Sequence, residues 1–120
     1  MGPLPEDEFV YRALLKEHSP PTDISFRLRP DEPTLSIART REKAMGDLKC
    51  KGWAKMSVAA IRAIPGLTIQ VKIEEQSEPP DPDYLEILGV PQFTEPDALK
   101  IDVGRALAKT VVESRPVPRR

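Results

Sequence analysis

Two side chains of reactive type stand alone in this sequence: His18, in "EHSPPT", and Cys50, in "LKCKGW". A histidine moves protons when another group orients it. A Ser-His-Asp arrangement would have to use His18 as its base, and nothing in the sequence positions it beside Ser19-Pro20. His18 therefore reads as a loop residue. Cys50 has Lys49, Lys51 and Lys55 nearby, a cationic setting that favours a reactive thiolate. Its plainer reading is a small half-buried residue near a helix end. The two lie 32 residues apart, and one of each type cannot close a structural metal site. The six glycines are scattered singly, so no phosphate-cradling loop is formed.

A third set is defined by order along the chain: Tyr11-Arg12 near the start, Ser36 within "TLSIA", and Glu86 within "DYLEILG". An arginine or tyrosine on an early strand, a serine on a middle one and a glutamate on a late one resembles the ADP-ribosyltransferase-like NAD-binding fold. That resemblance implies NAD as cofactor, with Arg12 and Ser36 holding the dinucleotide. Glu86 would stabilise positive charge on the ribose as nicotinamide leaves. The chain departs from the pattern at Tyr84, where such folds place an acid or glutamine two positions before the glutamate. Without that chemistry, Arg12 is an exposed strand residue, Ser36 lies on a wet face and Glu86 on an edge.

Charge singles out a fourth set. The net charge is −1, but residues 27–55 carry eight basic and four acidic side chains, while both flanks are acidic. Arg27, Arg29, Arg39 and Arg41 can place several guanidinium forks on one surface, which suits carboxylates. Trp53, if exposed, would anchor a partner. The same basic island beside one tryptophan fits nucleic acid, through phosphate neutralisation and base stacking. An acidic chain without a Gly-aromatic sheet signature ranks that third. An ordinary solvated face is the remaining reading.

These residues need elements to hold them. "DISFRLR" alternates, with Ile24, Phe26 and Leu28 opposite Ser25, Arg27 and Arg29, so a strand is expected over 24–29. Residues 34–38 make a second strand. Residues 8–17 fit either a helix or a strand. Thr40 is expected to cap a helix reaching Lys49, and Ser57 one over 58–64, ended by Pro65-Gly66. "LTIQVKI", 67–73, alternates best of all, and is expected in the centre of a sheet or pairing across a dimer. Residues 84–90 form a further strand, and Asp102 caps a closing helix over 103–112 that stacks Val103, Leu107 and Val111. Residues 53–56 carry no clear pattern.

Fourteen prolines cluster between these segments, and residues 74–83 read as an acidic proline-rich loop. The ends, 1–7 and 114–120, are expected to be flexible. With 120 residues the chain is expected to form a single small α+β domain. It would hold a mixed or mostly antiparallel sheet of about 4–5 strands with 2–3 helices packed on it. A lone cysteine suits a reducing compartment. An acidic N-terminus without an apolar run, and no span-length apolar stretch, fit a cytoplasmic protein with no membrane partner.

The layout "YRAL", "SFRLRP", "LSIA", "PG", "DYLEILGVP" and "ALAK" resembles a group of small bacterial proteins of uncharacterised activity. They share an N-terminal Tyr-Arg pair, a Ser-x-x-Phe or similar run, a Met-Ser-Val-like strand and a closing Ala-Leu-Ala-Lys helix. That resemblance implies bacterial origin and an accessory role in a multigene system. Members often carry a histidine near the place of Tyr84 or Leu85, which this chain lacks. The favoured expectation is a non-enzymatic interaction module or accessory subunit, without cofactor or metal. It would bind a protein through Arg27, Arg29, Arg41 and Trp53. The NAD-binding reading through Arg12, Ser36 and Glu86 stands second.

Overall fold

The computed structural model describes residues 7–14, 21–28, 30, 32–45, 52–71 and 83–115, Ile24 by its backbone only. Its strands are β1 (Phe9–Leu14), β2 (Leu35–Ala38), β3 (Gly52–Ser57), β4 (Thr68–Val71), β5 (Tyr84–Leu88) and β6 (Val111–Arg115). Its helices are α1 (Arg41–Met45), α2 (Val58–Arg62) and α3 (Asp97–Ala108), with a 3-10 turn at Asp23–Phe26. The six strands form one antiparallel sheet in the order β4-β5-β2-β1-β3-β6. The α+β expectation holds, with six strands where about 4–5 were expected.

Of segment 8–17, Phe9–Leu14 form a strand that pairs with β3 along its length, and residues 15–17 lie outside the described residues. Val10 and Leu14 point inward and Phe9 outward, where a helix would have put Phe9 and Val10 on one face. Residues 53–56, unpatterned in the sequence, form the middle of β3, which pairs with β1 along its whole length. The "LTIQVKI" segment is an edge strand, described as far as Val71. Leu67, Ile69 and Val71 pack on the core, and Thr68 and Gln70 are exposed.

Three expectations are corrected. Of the strand expected over 24–29, residues 24–28 are described and are not a strand. Ser25 N–H donates to the Thr22 carbonyl at 3.1 Å, Thr22 N–H donates to Ser25 Oγ at 3.1 Å, and Arg27 pairs with Asp23 one turn away. Such local bonds compete with a ladder, and both flanks of β1 are already taken by β2 and β3. The last helix starts at Asp97, not after Asp102. Pro96 suits a helix entry and Asp97 an N-terminal turn. It also ends sooner, at Ala108, where the Thr110 hydroxyl and N–H both donate to the Leu107 carbonyl. β-Branched Val111 and Val112 then open β6, so the expected tail begins inside a strand. The caps hold: Ser57 Oγ accepts from Ala60 N–H at 3.2 Å and Thr40 Oγ1 from Lys43 N–H at 3.1 Å.

The sheet has two unlike faces. The inner face carries Val10, Leu35, Ile37, Met56, Leu85 and Ile87, which pack with Phe26, Val58, Ile61 and Leu107 into one core. The connections from β3 to β4 and from β5 to β6 cross this face as α2 and α3. The 3-10 turn is locked beneath the sheet by α3, where a Cβ on Gly104 would lie 2.6 Å from the Asp23 carbonyl. Where β4 and β5 meet, Gly89 has φ +90°, and a Cβ there would fall 2.0 Å from the Gly66 carbonyl, so only glycine fits. The β2-to-β3 connection instead sends α1 over the outer face.

Candidate functional site

Ladder register assigns each side chain to a face, because directly opposed residues point the same way. Tyr84, Ala38, Tyr11, Lys55 and Glu113 stand in one row across the outer face. Gln70, Glu86, Ser36, Trp53 and Arg115 lie in the neighbouring row. Tyr11 sits opposite Ala38, so Arg12 falls opposite Ile37, on the inner face.

Arg12 thus points away from Ser36 and Glu86. Its Nε donates to the Ser25 carbonyl at 2.6 Å and its Nη1 to the Ser36 carbonyl at 2.8 Å. It ties the 3-10 turn to the underside of β2. Ser36 and Glu86 are direct cross-strand partners. The Glu86 carboxylate accepts from Thr34 Oγ1 at 2.8 Å and from Gln70 Nε2. Two of the three residues meet, and the third acts from the other side of the sheet. The convergence that the ADP-ribosyltransferase-like arrangement requires is not formed by Arg12, Ser36 and Glu86.

The arginine-rich surface is divided as well. Arg27 is half-buried just after the 3-10 turn, bonded through Nη2 to Asp23, with its buried Nε unpartnered. Arg41 is exposed on α1, its guanidinium carbon 5.3 Å from the centre of the Trp53 ring. Arg27 therefore belongs to the inner layer and Arg41 to the outer face. Arg39 is half-buried with its Nε unpartnered, and its N–H donates to the Asp83 carbonyl at 2.9 Å. Arg29, His18, Lys49, Cys50 and Lys51 lie outside the described residues. Trp53 is only 4% exposed, wedged edge-on against Tyr11 under Arg41. The expected anchor role is corrected: Trp53 is a buried support, because β3 is flanked by strands on both sides and α1 lies above it.

What the sequence did not single out is the set of rings and cations around Trp53. Lys43 Nζ lies 5.4 Å from the Tyr84 ring centre and Lys55 Nζ 4.4 Å from that of Phe9. With Arg41 over Trp53, three cations sit on three rings of one sheet face. Phe9 and Tyr84 are 39% and 36% exposed. Each pair contributes about 0.5–1 kcal/mol at an exposed site, and each holds a cation at a fixed place. The alternation Phe9-Tyr11-Ala13 signals this face once β1 is known to be a strand.

Among the described residues no group of three or more His, Cys, Asp or Glu could hold a metal ion. Among them too, no helix is long and apolar enough to cross a membrane. Against protein-family models, curated proteins and solved structures the chain has no match.

Proposed function

We propose that the protein is a non-enzymatic interaction module, an accessory subunit of a bacterial cytoplasmic system, which docks a carboxylate-rich protein partner on the outer sheet face. The observation that carries this reading is the triple of ring-seated cations, Arg41, Lys43 and Lys55, on the sheet face over which α1 lies. Cations fixed in advance lose little side-chain freedom when carboxylates arrive, and that favours binding. Of the two acids on this face, Glu86 has both oxygens occupied by Thr34 and Gln70, and Glu113 stands at its β6 end, opposite Lys55. Exposed Phe9 and Tyr84 add apolar contact beside the charges.

The test is a pull-down with tagged protein from nuclease-treated host lysate, comparing wild type with Arg41→Glu/Lys55→Glu. A stoichiometric protein partner captured by wild type and lost from the variant is the expected result. A partner retained by the variant, a bound nucleic acid in place of protein, or an empty wild-type lane overturns the reading.

A further inference from the structure

We propose that β6 is a dimerisation edge, which pairs antiparallel with β6 of a second copy of this chain about a two-fold axis at Ser114. This does not depend on the docking face described above. β6 closes one end of the sheet, with β3 along one side, and among the described residues no strand pairs its other side.

Which peptide groups face outward follows from the hydrogen bonds. Val58 N–H donates to the Glu8 carbonyl at 3.2 Å and Ser57 N–H to the Thr110 carbonyl at 3.0 Å. Even-numbered residues at β3 therefore bond towards β1, and odd-numbered ones towards β6. Lys55 stands opposite Glu113 and Trp53 opposite Arg115. Glu113 and Arg115 thus bond inward, and Ser114 between them turns its N–H and C=O to the open side.

Two Ser114 residues set face to face exchange two N–H···O bonds. In that register Glu113 of each copy stands opposite Arg115 of the other, on the same sheet face and in the closely spaced type of pair. Both side chains are exposed, and neither forms an ion pair among the described residues. Neighbouring registers lack this match. Centring on Val112 opposes Arg115 to Lys109 of the second copy, and centring on position 116 meets a proline without an N–H.

The opposite edge, β4, carries no charge along Thr68–Val71. Pairing β4 to β6 would run head to tail and would not close. Val112, 58% exposed at the bulge where β6 slips register against Lys55 and Met56, adds apolar area beside the contact. An edge pairing of this length buries less than a standard interface of about 1,600 Å². The dimer is accordingly weak and reversible. Its two-fold axis runs perpendicular to the sheet, so both outer faces look the same way.

Sedimentation velocity on the full chain, from micromolar to millimolar concentration, reads the equilibrium. Wild type is expected to pass from monomer to dimer. Ser114→Pro removes the outward N–H, a change an outer edge tolerates, and is expected to abolish the dimer. Arg115→Glu sets acid against acid at both crossings and should weaken association about tenfold. Glu113→Arg/Arg115→Glu should restore it. That charge series keeps the test intact if Ser114→Pro misfolds by circular dichroism. A monomer at every concentration overturns the proposal. So does a dimer indifferent to folded Ser114→Pro, or a double variant no tighter than Arg115→Glu.

Discussion

The two faces of the sheet use the same strands differently. Below, Val10, Ile37, Met56 and Ile87 meet α2, α3 and the 3-10 turn in a continuous buried core. Of its charges, Arg12 donates to two backbone carbonyls and Arg27 pairs with Asp23. Above, among the described residues only Ala38 and Trp53 reach full burial, and the face is dominated by rings, cations and polar side chains. The inner face is closed by packing and the outer face is arranged by charge on aromatic support. Stability is therefore expected to reside below and recognition above.

Three substitutions test that division. The largest effect is expected for Phe26→Ala, which empties the site of a fully buried ring on the inner side. A loss of about 3–5 kcal/mol in urea unfolding is expected. A loss below about 1 kcal/mol would mean the 3-10 turn is not part of the core, and the contrast between faces would fail.

Arg12→Met comes next, since it keeps the length of the side chain but strips the donors from the Ser25 and Ser36 carbonyls. Bonds to charged groups contribute about 1.5–3 kcal/mol each, and partial repacking by Met leaves an expected cost of about 2–3 kcal/mol in the same assay. Full retention of stability would show that Arg12 faces a partner and not its own backbone.

The smallest effect belongs to the outer face. Arg41→Ala should cost only about 0.5–1 kcal/mol, while it uncovers the indole and shifts Trp53 fluorescence to the red. A cost matching that of Phe26→Ala would mean the outer face is a second core, and docking there would have to be abandoned.

Much of this architecture was legible along the chain. Leu67, Ile69 and Val71 announced an alternating strand, and Ser57 and Thr40 announced helix starts, because period and cap chemistry are local properties. Where local chemistry allowed two answers, only pairing decided. "DISFRLR" alternates cleanly, yet both sides of the preceding strand β1 went to β2 and β3, and Thr22, Ser25, Asp23 and Arg27 satisfied one another instead. "VGRALAKTVV" reads as one helix, but Thr110 stops it, and the open side of β3 takes Val111–Arg115 as a strand.

The candidate site followed the same rule. The sequence by itself determined the residue types: the basic island, the few rings, and the alternation that gives each strand a wet and a dry side. Only the tertiary structure decided which of them share a face, since a face is set by register between strands distant in sequence. That register put Arg12 beneath the sheet with Ser36 and Glu86 above it, while the 3-10 turn below and α1 above split Arg27 from Arg41 and buried Trp53 under Arg41.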